Sequence, residues 1–314
     1  MDLQLQNKLA LVTGSTAGIG YAVAEGLARE GATVIVNGRA APRLENAVAA
    51  IRSKYPGCKV DGFAGDLSTA EACSALTARY PAIDILVNNL GIFNPQPFEE
   101  INDDEWRRFF EVNVLSGVRL SRAYLPPMKQ KNWGRIVFIS SESAIHIPVE
   151  MIHYGFTKTA QLAISRGLAE STAGTGVTVN AVLPGPTASE GVGDFVGKLA
   201  TQMNQSPGEF EKFFFEKVGP TSLLKRFATT DEVANLVVFV CSPLASATNG
   251  AALRVDGGLF GRSFEIGMNL VGRPLGTSAF ARAILAENRW IITLRAGYPW
   301  RNFPAFAERS LQID

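Results

Sequence analysis

The chain has 314 residues, 46% hydrophobic and 19% charged, with a formal net charge of +1 at neutral pH. That is enough apolar material for one large core, and the near-neutral balance argues against a protein that grips nucleic acid through a basic excess. The polar start, residues 1–8, has no basic-then-apolar signal pattern, and no apolar run reaches the ~18 residues of a membrane helix. A cytoplasmic protein with a small-molecule substrate, no nucleic acid and no membrane is therefore expected.

Short runs rich in Val, Ile and Leu lie at residues 9–13, 33–37, 59–64, 83–88, 135–140, 177–182 and 252–255. Near-continuous apolar runs of this length read as strands covered on both faces. Between them, helical patterns occupy residues 20–30, 43–55, 103–125, 154–171 and 230–241. Strand–helix alternation with right-handed crossovers makes an α/β fold, a doubly wound parallel sheet, in one domain over residues 1–258. Cys58, Cys73 and Cys241 have neither disulfide nor zinc spacing and are expected as packed thiols.

The first strand runs into Thr13-Gly14-Ser15-Thr16-Ala17-Gly18-Ile19-Gly20 and then a helix. Glycines allow a pyrophosphate close to the backbone, and a helix N-terminus presents N–H groups and a favourable dipole to it. The second strand ends Asn37-Gly38-Arg39. A site for NAD usually has a carboxylate here for the ribose hydroxyls; Gly38 replaces it, and Arg39 brings a fork suited to a phosphate. With Ser15 near enough to add a hydroxyl donor, NADP is expected, NAD being the alternative if Arg39 is only a solvated surface residue.

Downstream lie Asp66-Leu67, Asn88-Asn89-Leu90-Gly91, Asn113, Ser140-Ser141, Tyr154-Gly-Phe-Thr-Lys158, Pro184-Gly185 and Val255-Asp256-Gly257-Gly258. In this ordered set, residues 6–258 resemble the short-chain dehydrogenase/reductase family, and in appearance its 3-oxoacyl-thioester reductase branch. The resemblance implies a Rossmann-like sheet of about seven strands in the order 3-2-1-4-5-6-7, and a homo-oligomer formed through the helices near 103–125 and 154–171. It implies an NAD(P)-dependent oxidoreductase acting on CH–OH groups and their carbonyls. It also implies a catalytic set of Asn113, Ser141, Tyr154 and Lys158, Ser141 being preferred to Ser140 by its interval of 13 residues from Tyr154.

Tyr154 and Lys158 are four apart and share a helix face, and a neighbouring ammonium should lower the tyrosine pKa from about 10 toward working pH. Tyr154 is then the proton donor or acceptor, and Ser141 the hydrogen-bond donor to the carbonyl oxygen. By resemblance, Lys158 holds the nicotinamide ribose and Asn113 anchors a relay water. The resemblance further gives Asp66 and Leu67 to the adenine, Asn89 to its ribose, and Pro184, Gly185 and Thr187 to the nicotinamide side, with Gly91 also in the cleft. Leu90 departs from the family's commoner alanine and would crowd the cleft if it pointed inward. His146 is read as a pocket residue or a hydrogen-bonded loop histidine, and Glu142 as a polar-substrate contact or a turn cap. Two lone histidines without a matched carboxylate set give no metal site.

Residues 186–227 carry several glycines and Phe195, Phe210, Phe213, Phe214 and Phe215. They read as a substrate-covering lid, or else as a helical pair packed permanently on the core. Beyond residue 258 the basic residues are seven arginines and no lysine. This atypical extension, 259–314, with a helical pattern at 278–294, is either a docking arm for a second subunit or an accidental addition that could hinder assembly. The rival to an enzyme is a dinucleotide-binding redox sensor without turnover, which would have no need of the Ser–Tyr–Lys set.

Overall fold

The computed structural model describes residues 1–193, 197, 200, 203 and 205–259. The expected extension therefore lies, apart from Leu259, outside the described residues, as does Phe195 of the expected lid.

Seven strands form one sheet: β1 (Leu9–Val12), β2 (Thr33–Gly38), β3 (Val60–Ala64), β4 (Ile85–Asn88), β5 (Gly134–Ile139), β6 (Val177–Pro184) and β7 (Ala252–Val255). Their order is β3-β2-β1-β4-β5-β6-β7, with every pairing parallel. This is the doubly wound order that the sequence leads one to expect. All eight residues of β6 are buried, because helices cover both faces. Side chains alternate between two cores with the strand period of two. From β1 and β2, Ala10, Val12, Val34 and Val36 enter one cluster, while Leu11 and Ile35 enter the other.

The helices are α1 (Gly18–Arg29), α2 (Ala41–Lys54), α3 (Ala70–Arg79), α4 (Asp103–Phe110), α5 (Ser116–Gln130), α6 (Ile152–Ser171), α7 (Pro207–Lys217) and α8 (Thr230–Val240). Small residues of α1 let it lie close to α8: a Cβ on Gly26 would sit 2.9 Å from Val238 Cγ2. The single helix expected over 103–125 is instead α4, a π turn at Glu111–Leu115, and α5. Helix α5 continues through Pro126 and Pro127. Those prolines remove the donors to the carbonyls of Arg122 and Ala123, whose exposed positions give water access instead.

Within the segment read as a lid, Ser206 and Glu209 form a capping box that starts α7. The base of the excursion is tied where Ala228 N donates to Pro186 O at 2.9 Å and Ala188 N to Ala228 O at 2.8 Å. Phe210 and Phe215 are the buried residues of α7. No helix among the described residues is long and apolar enough to cross a membrane.

Helices α4 and α6 enclose His153, whose ring lies 4.1 Å from that of Phe109 and 6.1 Å from that of Trp106. Neither ring nitrogen has a hydrogen-bond partner among the described residues. Burial holds this imidazole below its ordinary pKa, Glu105 opposing the effect and Arg108 adding to it. Below a pH of about 6.5 the unfolded chain takes up a proton that the folded chain resists. The stability due to neutral His153 is thus complete above that value and is lost as pH falls toward the folded pKa. Thermal unfolding at successive pH values is expected to show a steeper loss between pH 7.5 and 5.5 in the wild type than in His153→Phe.

Candidate active site

The carboxyl end of β1 opens into the glycine loop. Gly14 and Gly18 have φ of +60° and +59°, which side chains rarely adopt. A Cβ on Gly20 would collide with Asn89 Nδ2 and lie 2.6 Å from Gly14 O. Asn89 stands there to hold the loop, donating from its amide to Thr13 O at 2.9 Å and Gly14 O at 3.1 Å. Helix α1 has no side-chain cap and no acidic residue in its first turn. Its first N–H groups, at Ala17 to Gly20, therefore line the cleft with the positive end of the helix dipole.

At the end of β2, a Cβ on Gly38 would collide with Thr16 Cγ2, so these two residues fit only while position 38 is glycine. Arg39 is exposed beside them, its guanidinium 3.8 Å from Asp66. Ser15 needs correction. It is fully buried, donates its hydroxyl to Val12 O at 2.6 Å and accepts from Asn37 N at 3.0 Å. With its one proton committed to the backbone, Ser15 ties β1 to β2 and is no hydroxyl donor for a ligand. Leu67 is buried, and Asp66 accepts from both the amide and the hydroxyl of Ser68.

The opposite wall is built by β5 and α6. Lys158 is buried, and Nζ donates to the carbonyl of Ile139, the last residue of β5, at 2.9 Å. Its ammonium lies 5.5 Å from the centre of the Tyr154 ring, one turn away. Ser141 starts the short turn Glu142–Ala144: its Oγ accepts from Ser143 N at 3.1 Å and donates to Glu142 Oε2 at 2.6 Å. Asn113 sits in the π turn, where its side chain accepts from Ile92 N and donates to Ile92 O and Thr157 Oγ1. Its carbonyl accepts from Gln161 Nε2 at 2.6 Å. Gly91 packs close to this group, since a Cβ there would be 3.5 Å from both Asn113 Oδ1 and Lys158 Nζ. Ser141, Tyr154 and Lys158 thus line one wall of the cleft, and Asn113 is buried behind it, bonded to Thr157 and Gln161 of α6.

Charges at this wall differ from the expectation. Burial raises the Tyr154 pKa well above its ordinary value, the Glu142 carboxylate raises it further, and only a hydrogen bond with Ser141 lowers it. Burial pushes the Lys158 ammonium down to about 8 against the pull of Glu142, so the lysine is itself drawn toward its neutral form. Burial likewise raises the Glu142 carboxyl, opposed by its hydrogen bonds to Ser141 and Ser143.

Both walls enclose a cleft of about 1010 Å³ that also touches Pro184, Gly185, Thr187 and, from α7, Phe210, Phe213 and Phe214. Gly185 is required here because a Cβ would lie 2.7 Å from Asp256 Cα. Thr187 is buried and donates to Gly185 O at 2.8 Å. Leu90 packs against the core, away from the cleft lining, so its size does not narrow the cleft. His146 lines the cleft and His153 does not. Sequence reasoning passed over Phe93, whose ring meets that of Tyr154 edge-on at 6.4 Å, and Gln161. Gln161 was legible in principle, lying three residues beyond Lys158 on the same helix face. Among the described residues no group of three or more His, Cys, Asp or Glu could hold a metal ion.

Gly20→Ala should lower unfolding free energy by about 1–3 kcal/mol, the usual range for overpacking against fixed neighbours. Denaturant titration measures this, and a change below ~0.5 kcal/mol would show that the Asn89 clamp yields easily.

Residues 14–260 match the family model described as Enoyl-(Acyl carrier protein) reductase. The chain is 51% identical over 259 residues to the oxidoreductase YvaG of Bacillus subtilis, covering 82% of this chain and 98% of that protein. It is 36% identical over 264 residues to the 3-oxoacyl-[acyl-carrier-protein] reductase FabG of Aquifex aeolicus, with 83% and 100% covered. Among solved structures it resembles L-sorbose reductase from Gluconobacter frateurii complexed with NADPH and L-sorbose. That match has a TM-score of 0.79 and 31% identity, over 83% of this chain and 100% of that one.

Proposed function

The chain belongs to the short-chain dehydrogenase/reductase family, and on that premise we propose that it is an NADP-dependent oxidoreductase that reduces a ketone, with Tyr154 as the proton donor. The observation that carries this reading is the meeting of Ser141, Tyr154 and Lys158 on one wall of a cleft whose other wall is the glycine loop.

The residues present fit the cofactor. Gly14, Thr16, Gly18, Ile19 and Gly20 offer backbone approach and uncapped N–H groups to a diphosphate. Arg39 takes the ribose phosphate, a role supported by glycine at position 38 and by the exposed guanidinium. In this reading Asp66, Leu67 and Asn89 serve the adenosine end, Lys158, Pro184, Gly185 and Thr187 serve the nicotinamide end, and Gly91 lets the cofactor approach beside Lys158. When bound, NADPH supplies the hydride.

Tyr154 holds its proton firmly because burial and Glu142 disfavour the phenolate. It releases that proton only to a strong base, and the alkoxide developing from a ketone is one. Ser141 donates to the same oxygen and stabilises its charge. Lys158 is fixed by Ile139 O and keeps a positive charge near the reacting oxygen below a pH of about 8. Asn113 has given one lone pair of its carbonyl to Gln161, and the second can hold a relay water. The phenylalanines of α7 suit a substrate with an apolar body. Phe156 leaves an apolar ring 47% exposed on α6, which supports assembly of copies of this chain through that helix.

Turnover of NADPH and NADH with a panel of ketones tests the reading. The wild type should favour NADPH, and Tyr154→Phe should bind NADPH yet lose at least ~10²-fold in kcat/KM. Equal turnover by Tyr154→Phe would sink the assignment. Gly38→Asp should weaken NADPH binding and also lower Tm, through the collision with Thr16. Adding Thr16→Ala should restore Tm but not NADPH affinity, which separates the packing effect from the charge effect.

A further inference from the structure

Ser141 has one hydroxyl proton, and a hydroxyl that donates to one acceptor cannot donate to another. In the proposed reduction that proton must face the carbonyl oxygen, yet Ser141 Oγ donates to Glu142 Oε2 at 2.6 Å. The second carboxyl oxygen, Oε1, accepts from Ser143 Oγ at 3.3 Å. Glu142 lines the same cleft as Tyr154 and Lys158. A turn cap would require none of this, since Ser141 itself caps the turn by accepting from Ser143 N.

We infer that Glu142 is a positioning residue for the reduction: its carboxyl draws the Ser141 proton to itself while ionised, and when protonated it donates to Ser141 Oγ and frees that proton for the carbonyl oxygen. This rests on the reading of Ser141 as the donor to a ketone oxygen. Glu142 loses no proton over the cycle, because the proton that stays on the product alcohol comes from Tyr154. Burial favours the neutral carboxyl, which is the working form. Tyr154 and Lys158 face Glu142 from α6, each with a pKa that its charge raises. His146 and Glu150 stand on its own loop side of the cleft, and Glu190 lies across it, bonded to Arg43 at 2.6 Å. Ionised Glu142 thus slows reduction twice over, by occupying Ser141 and by making Tyr154 a weaker acid.

Two measurements on the full chain test this. In carboxyl-13C-glutamate NMR, the Glu142 signal is the one absent from Glu142→Gln. It should titrate above the ordinary glutamate value of about 4.3, and move higher still in Ser141→Ala, which removes a hydrogen bond to the ionised form. A signal unmoved by Ser141→Ala overturns the pairing, whether or not any ketone is turned over. In kinetics, kcat/KM for reduction should fall with rising pH in two steps in the wild type. Glu142→Gln, a permanent donor, should show only the Lys158 step, displaced to lower pH, with a maximum within about tenfold of the wild type. Glu142→Ala should lose about tenfold or more even at low pH, less than the ~10²–10³ of deleting an oxyanion donor itself. Superimposable pH profiles for wild type and Glu142→Gln overturn the inference. A coupled titration without reduction of any ketone would instead overturn the reading of the reaction, and with it the positioning role.

Discussion

Parallel pairing makes every strand deliver its following loop to the same edge of the sheet, and the candidate site is a consequence of that constraint. Here β1 delivers the glycine loop, β2 delivers Gly38 and Arg39, and β4 delivers Asn89 and Gly91. From β5 come Ser141 and Glu142, and from β6 come Gly185 and Thr187. Hydrogen bonds on both sides of Lys158 join this edge to helix α6: the Ile139 carbonyl at the end of β5 accepts from Lys158 Nζ, and Ser140 Oγ donates to the Lys158 carbonyl. Those contacts fix the lysine, and helix geometry then places Tyr154 one turn back, over the cleft. Asn113 packs behind this wall, where the π turn between α4 and α5 breaks the regular ladder and its backbone carbonyl accepts from Gln161.

Burial pushes Tyr154, Lys158 and Glu142 all toward their neutral forms. Desolvation acts against the charged form of both Tyr154 and Lys158, and the Glu142 carboxylate adds to the cost of the phenolate. Such a site suits a reaction in which charge appears on the substrate oxygen. Fixed donors then meet that charge without first giving up water.

Much of this was legible in the chain. Strand runs of Val, Ile and Leu located all seven strands to within about two residues, since a covered parallel strand must be apolar throughout. Helix α3 escaped notice: Ala70–Arg79 buries only Cys73 and Leu76, too little for a clear helical stripe. The π turn carries no periodic signature, and so α4 and α5 read as one helix. Ser15 looked like a ligand donor because sequence gives the position of a hydroxyl but not the direction of its proton. The same limit left Glu142 open, for its role depends on which oxygen receives the Ser141 proton. The inward packing of Leu90 against the core was equally out of reach, since a single residue type does not state which way it points.

The most direct measurement is transfer of deuterium from [4-2H]NADPH, followed by NMR of the alcohol formed from each ketone in a panel spanning acyl thioesters and hydroxyketones. Hydride transfer in this cleft predicts deuterium on the carbinol carbon, with the rate lost in Tyr154→Phe. NADPH that binds but delivers no deuterium to any carbonyl, in wild type as in Tyr154→Phe, would contradict it.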